Sequence, residues 1–466
     1  MGSATSCSTS CWPSARRSGG SATICPRAGT RNSRRSSSVS TACTNGGCLD
    51  ERHQWRRPSP SRGPAMNTRI LYVAMRYDYG RPEQGRSFEH CNFFDSLHNM
   101  GIDVIYFDFP TLLDRYGREG MNARLLDVVR AERPDVMFTV LFRQELDKKT
   151  VRAISEETET ATVNWFCDDH WRFDDYSRRW APCFNWSVTT AQSALPKYEA
   201  IGYEHVIKSQ WACNHFLYKD LELPLAHDVT FVGQPHGDRR AFIEALQRAA
   251  IDVKAWGGGW ELGRLSQDEM IRVFNQSRVN LNLSNASLAA TSTARRMRAR
   301  VSSILDTVPF GPAVKRLGKK VVGPGSIEAA GRNVPSPAAA RRAGSLGAGG
   351  RGQDQAALAR RVDQIKGRNF EIPGCGGFQL TGEAEDLGSY YEIGSEIVTF
   401  TDAADLIEKA RYYLEHEEER AAIARAGYER TLREHTYEKR FTQIFERMGV
   451  EVRTEPGRAG EVEEVA

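Results

Sequence analysis

Several things are missing from this sequence of 466 residues. No stretch reaches the roughly 18 consecutive apolar residues of a membrane-spanning helix, and the first residues carry no apolar core of a secretory signal. Both absences predict a cytoplasmic protein and leave only peripheral membrane contact open. No C-x-x-C pair occurs, so zinc and dithiol redox sites are not expected. The ten cysteines divide between five in the first 48 residues and five scattered singly through the body, the pattern of isolated thiols in a reducing compartment. There is no G-x-G-x-x-G, no P-loop, no H-E-x-x-H and no G-x-S-x-G, which argues against dinucleotide, Walker-type, zinc-protease and serine-hydrolase sites. Positive charge is also lacking where it would matter. The formal charge of +4 comes from the head, where ten Arg face only Asp50 and Glu51, so that the remainder is net negative and offers no basic groove for nucleic acid.

Residues 1–65 are rich in Ser, Arg, Gly and Cys without a sustained period, and are expected to be disordered. Met66 begins a stretch that reads as a domain start, Asn-Thr-Arg followed by the apolar Ile70–Met75, which predicts Met66 as the native initiator. From there strands and helices alternate. Strands are expected at Ile70–Met75, Asp103–Phe109, Val136–Leu141, Thr162–Phe166, Trp186–Thr190 and Val206–Ser209. Helices are expected at Ser87–Asn99, Leu125–Arg130, Thr150–Glu157 and Leu195–Ile201. A second alternating series starts near residue 226, with strands at Asp228–Val232, Val253–Trp256 and Val279–Leu283. Its helices are Arg239–Ala250, placed behind Asp238 as a cap, and one opened by the capping box Ser266-x-x-Glu269. Residues 286–362 are rich in Ala, Arg and Gly and read as a low-complexity, disordered insert. Order resumes with QIKGRNFEIPGCGGFQLT (364–381), a strand at Glu396–Thr399, a helix capped by Asp402, helices at Glu418–Glu434 and Tyr437–Met448, and an acidic tail from 451. Repeated βα units with apolar strands predict an α/β protein with parallel sheets covered on both faces. Two Rossmann-like domains, 66–225 and 226–450, are expected to face each other across a ligand-binding cleft.

The stretch 364–381 gathers Lys366, Arg368, Glu371, Gly374, Gly376 and Gly377 at an expected helix–strand junction. Cations, a carboxylate and exposed backbone N–H groups suit a phosphate and a neighbouring sugar hydroxyl. Gly233 to Arg240 is expected at another strand end, where His236, Arg239 and Arg240 accompany a helix N-terminus. Gly257 and Gly258 follow the next strand. Read singly, each of these is also an ordinary turn or surface arginine. In the first domain Asp168-Asp169-His170 closes a strand, an arrangement suited to acid–base work or metal binding, with turn and capping duty as the plainer reading.

The runs KGRNFEIPGCGGFQLT and ADLIEKARYYLEHEEERAAIARAG, with REHTYEKR, FVGQPHGDRRAFIEAL and VNLNLSN, resemble the CgeB-type (spore maturation protein-like) glycosyltransferase family. The likeness covers most of 228–284 and 364–445. It implies a GT-B-like fold, a nucleotide-sugar donor held mainly by the second domain, no cofactor and no required metal. Glu371 then takes the place of the acidic residue that contacts the nucleotide ribose, and Asp363 stands eight positions before it. Arg239, Arg240, Lys366 and Arg368, with backbone near Gly233, Gly376 and Gly377, would stabilise the leaving diphosphate. Asp169 or His170 would orient or deprotonate the acceptor hydroxyl of a glycan, lipid-linked or protein acceptor at the cell surface or envelope, and the last helix would return to the first domain. Two other readings stand beside this one. One is a non-catalytic nucleotide- or sugar-binding relative serving assembly of an outer layer, and the other is a metal-dependent GT-A type built on Asp168-Asp169.

Overall fold

The computed structural model describes residues 67–283, 364–454 and 457–465, all within one compact unit. The head 1–65, Met66, the insert 286–362 and Asp363 lie outside the described residues.

The first sheet is built from β1 (Arg69–Ala74), β2 (Asp103–Asp108), β3 (Val136–Thr139), β4 (Ala161–Phe166), β5 (Trp186–Thr189) and β6 (Val206–Lys208). Its order runs β2-β1-β3-β4-β5-β6, with every pairing parallel. Ile70, Leu71, Tyr72, Val73 and Ala74 are all fully buried, because a strand with helices on both faces has no solvent side. The second sheet holds β7 (His227–Val232), β8 (Val253–Trp256), β9 (Ser277–Asn282), β10 (Gln379–Gly382) and β11 (Val398–Phe400), ordered β11-β10-β9-β7-β8 and again entirely parallel. Two parallel α/β halves were expected and are present.

Local signals explain several helix ends. Ser266 accepts from the Glu269 amide while the Glu269 carboxylate accepts from the Ser266 amide, a complete capping box. Asp402 accepts from the Ala404 and Asp405 amides. Asp238 differs from expectation: it precedes the helix Arg239–Arg248 but makes no side-chain capping bond. The helix expected at Leu125–Arg130 extends back to Phe109, with Pro110 in its first turn and a break at Gly117, where φ is +67°. The Gly-containing polar stretch hides this length from a periodicity argument.

At the C-terminus the last helix returns to the first domain, as the resemblance implied, while the tail departs from expectation. The helix Tyr437–Met448 packs Tyr437, Phe441, Ile444 and Phe445 into the core that holds Tyr72, Phe93 and Phe138, so it completes the first domain rather than the second. Residues expected as a plain acidic tail form a further strand, β12 (Val462–Glu464), parallel to β2 at the edge of the first sheet. Glu463 pairs with Arg69, and Glu464 with Arg76 at 2.7 Å. The acidic side chains thus meet arginines of β1 and its following loop, a long-range match invisible to local patterning. The chain crosses between halves twice, and the crossings are bonded together: the Cys213 amide donates to the His435 carbonyl at 2.9 Å, and the Tyr437 amide to the Cys213 carbonyl at 3.0 Å. Among the described residues, no helix is long and apolar enough to cross a membrane.

Candidate active site

In the second sheet, the loop after β7 and the segment entering the helix Arg368–Gly374 both sit at the carboxyl ends of the strands, where open parallel sheets bind ligands. Arg239 opens the helix Arg239–Arg248 and turns back so that Nη1 donates to the Gln234 carbonyl at 3.0 Å. Lys366 is held by its amide, which donates to Asn369 Oδ1 at 2.9 Å. Arg368 pairs with Glu371 and lies 5.6 Å over the Phe274 ring. Burial pushes all three cations below their ordinary pKa; Asp238 favours the charge of Arg239 and Arg368 opposes it, while Asp168 favours that of Lys366 and Arg239 opposes it. Asp238, Asp168 and Glu371 lie near Arg239, Lys366 and Arg368 respectively, and the hydration that all three cations lose is a cost that a bound anion would offset.

Unsatisfied polar atoms mark the same place. Arg239 Nε, Arg368 Nε, Glu371 Oε1 and Gln364 Oε1 are buried without a hydrogen-bond partner among the described residues. Buried polar atoms normally find partners, so this cluster is arranged for a polar molecule. Gly367 lets the segment reach the first domain: a Cβ there would stand 2.7 Å from the Phe88 ring and 3.2 Å from Glu371 Oε1.

The remaining residues singled out from the sequence divide differently. Arg240 is engaged elsewhere, donating to the Gly259 carbonyl at 2.9 Å and lying 4.8 Å over the Trp260 ring. His236 is exposed and its Nε2 meets Gln234 Oε1 at 2.5 Å. The Gly233 amide donates to the Trp256 carbonyl and the Gly257 amide to the Gly263 carbonyl, so neither N–H is left for a phosphate. Gly257 is required by contact, since a Cβ would fall 2.4 Å from the Gly233 oxygen at a φ of +137°. Gly258 alone faces open space. Gly376 and Gly377 are corrected outright. They follow the C-terminus of the helix Arg368–Gly374, where their amides donate to the Pro373 and Ile372 carbonyls. They lead into the amino end of β10, the sheet end opposite Lys366, and terminate a helix.

On the first domain, Asp169 is also corrected. It is fully buried, accepting from Ser177 and from the Tyr198 hydroxyl at 2.8 Å, and does not face the cleft. Loss of hydration raises its pKa despite those bonds. Its neighbour Asp168 is the one aimed across, accepting from Gln364 Nε2 at 3.3 Å. His170 lies at the domain junction, with Nε2 3.7 Å from Glu385 Oε2; burial lowers its pKa, the Glu385 charge opposing. Helix geometry just after β4 decides which of two adjacent acids turns inward, and composition carries no sign of it. Among the described residues, no group of three or more His, Cys, Asp or Glu is placed to hold a metal.

Between the two domains a cavity of about 250 Å³ abuts Lys366 and Gly367 and is otherwise lined by the first domain, including Phe88, Glu89, Asp168 and Trp211. Phe88, Glu89 and Trp211 are not among the residues singled out from the sequence. Their only signal was position, in the loop and helix after β1 and in the linker after β6.

Residues 239–301 and 353–446 match the profile of a family described as glycosyl transferase-like. No curated protein matches the chain. Among solved structures, Anabaena HepE in complex with UDP-glucose is similar at a TM-score of 0.50 and 13% identity, over 82% of this chain and all of that one. A sucrose-phosphate synthase from Thermosynechococcus elongatus is similar at a TM-score of 0.48 and 8% identity, over 82% of this chain and 98% of that one. A glycosyltransferase from Rickettsia africae is similar at 0.47 and 9%, over 82% and 99%. The fold is that of the GT-B glycosyltransferases, which sets aside the GT-A reading.

Proposed function

We propose that the protein transfers a sugar from a nucleoside diphosphate donor to an acceptor hydroxyl, without a cofactor. The observation that carries this reading is the convergence of Arg239, Lys366 and Arg368, all partly buried, with buried, unsatisfied Nε atoms on both arginines. In such a reaction the negative charge that grows on the leaving diphosphate is stabilised by donors already in place. Lys366 and Arg239 supply them from two different loops, and Arg368 adds a third donor next to Glu371. Glu371, fully buried with one oxygen unpaired, suits a ribose hydroxyl, the role implied by the CgeB-type resemblance. That HepE shares the fold and was crystallised with UDP-glucose makes uridine diphosphate the first nucleotide to try. Asp168, which turns toward Lys366, replaces Asp169 as the first-domain carboxylate in contact with the donor segment. An envelope acceptor is part of the same reading and rests on the family likeness alone.

The test is thermal and chemical melting of the protein against UDP, GDP, ADP, TDP and CDP. A ligand at 100 times its Kd adds about 2.7 kcal/mol. One nucleotide is expected to give that shift and Lys366→Ala to abolish it, with release of the same diphosphate when its hexose conjugate is supplied. A shift without any release over long incubation would favour a non-catalytic binder. No shift with any nucleotide would sink both.

A further inference from the structure

The cavity beside Lys366 has a chemistry unlike that of a sugar subsite. Its wall is mainly apolar, with Phe88, Val140, Leu141, Phe142, Phe166 and Trp211 among the residues that line it. Of the polar side chains that also line it, several are already engaged. Ser177 donates to Asp169, the Tyr176 hydroxyl to the Arg143 carbonyl, and Arg172 Nη2 to the Phe142 carbonyl at 2.7 Å while its guanidinium lies 4.3 Å over the Tyr176 ring. Asp168 accepts from Gln364. Glu89, whose carboxylate accepts from Ser87 and from its own amide, and Lys366 also line the cavity, with the second oxygen of Asp168. A pyranose brings a hydroxyl on nearly every carbon, and each one buried without a partner costs about 1–3 kcal/mol. An apolar cavity of roughly 150 Å³ is enough for benzene, so the volume of about 250 Å³ here admits a substituted aromatic ring or a fused pair.

We propose that this cavity is the acceptor subsite, that its occupant is a flat aromatic molecule carrying a hydroxyl group, and that Glu89 is the base which receives the hydroxyl proton. The inference rests on the glycosyl-transfer reading above. The acceptor oxygen forms its bond to the anomeric carbon of the donor. The bond from that carbon to the diphosphate oxygen breaks, its electron pair leaving with the diphosphate beside Arg239 and Lys366. The hydroxyl proton passes to the Glu89 carboxylate. Removal of Glu89 from water raises its pKa, with hydrogen bonds from its own amide and from Ser87 opposing, and a raised pKa strengthens a carboxylate as a base.

The experiment uses 2-naphthol as the aromatic probe and methyl glucoside as the sugar probe, each titrated calorimetrically into the whole protein with and without the diphosphate identified above. 2-Naphthol is expected to bind alongside the diphosphate, and methyl glucoside to bind at least tenfold more weakly. Phe142→Glu, at the exposed rim of the cavity, should weaken 2-naphthol at least tenfold while leaving the diphosphate melting shift intact. Glu89→Gln should keep 2-naphthol affinity within about threefold and lower transfer to it by about 10²-fold, the scale of a lost general base. A diphosphate shift with no 2-naphthol binding, or with methyl glucoside preferred, overturns the acceptor class and leaves the donor reading standing. Competition between 2-naphthol and the donor's sugar, but not the diphosphate, overturns it as well by assigning the cavity to that sugar. Wild-type transfer by Glu89→Gln overturns the base. Absence of any diphosphate shift fails the donor reading instead.

Discussion

Arg368 and Glu371 form the most consequential pair in the second domain, because one partner is fully buried. Removing Arg368 leaves an uncompensated carboxylate inside the protein, which costs about 3–5 kcal/mol when burial is complete. Arg368→Ala is therefore expected to lower the urea midpoint by an amount near the lower end of that range, since the guanidinium itself is partly exposed. Arg368→Met combined with Glu371→Leu should recover most of the stability and none of the diphosphate affinity. Recovery of both would reduce the pair to packing. Lys366 separates from it by pH. Burial holds its pKa below the ordinary value of about 10.4, so in the free protein the ammonium loses its proton earlier than a surface lysine. Charge on Lys366 disfavours folding below that lowered pKa, and this penalty fades as pH rises through it. Diphosphate binding has the opposite sign: it needs the ammonium, so affinity should fall as pH climbs through the same window. Lys366→Arg should keep affinity level across it, measured by calorimetry at constant ionic strength. An unchanged alkaline limb in that variant would assign the titration elsewhere.

At the scale of elements, the strands were legible because both faces of each sheet are covered, which writes them as unbroken apolar runs such as Ile70–Ala74. The helix Arg368–Gly374 and its cationic entrance were legible from spacing too, and Arg239, Lys366, Arg368 and Glu371 do converge. What stayed hidden was direction. Glycines read as a phosphate cradle at 376–377 close a helix, since the same conformational freedom serves both purposes. Of the adjacent acids it is Asp168 that meets Gln364 of the second domain, while Asp169 turns into the core. The C-terminal strand was hidden for another reason. Val462-Glu463-Glu464 is exposed along its length and carries no alternation, its pairing being set by β2 and by arginines nearly 400 positions away. Its effect is testable. The Val104 amide donates to the Glu461 carbonyl and the Val465 amide to the Tyr106 carbonyl, so ending the chain at residue 454 leaves β2 as an open edge. Hydrogen exchange at Val104 should accelerate at least tenfold, and β1 amides should stay protected because β2 and β3 still flank that strand. Unchanged protection at Val104 would mean the strand contributes nothing to the sheet.

Across the whole molecule, the two halves share a packed hinge and a polar rim. The hinge is the paired crossing at Cys213, His435 and Tyr437. The rim consists of contacts between loops of opposite domains: Arg264 Nη2 with Asp78 Oδ2 at 2.6 Å, Lys208 Nζ with Asp386 Oδ2 at 3.5 Å, and Ser193 Oγ donating to Glu385 Oε2 at 3.1 Å. Lys208 also donates to the Tyr390 hydroxyl at 3.0 Å. Part-exposed pairs of this kind contribute about 0.2–1 kcal/mol each, too little to hold the fold and enough to bias a hinge whose core is unaffected. Under the proposed function, closure of the two domains over the cavity between them would set how completely donor and acceptor are screened from water. The triple variant Asp78→Asn, Glu385→Gln, Asp386→Asn is expected to melt within a few degrees of the wild type. By small-angle scattering it should have a larger radius of gyration without ligand, and saturating diphosphate should return that radius to the wild-type value, since the ligand binds the closed form better. Its KM for donor should rise several-fold with kcat little changed. Raising salt on the wild type to about 1 M, where the screening length falls to about 3 Å, should reproduce the expansion. A radius indifferent to both the substitutions and the salt would mean that the packed hinge alone fixes the angle between the domains, and that the rim contacts follow closure without driving it.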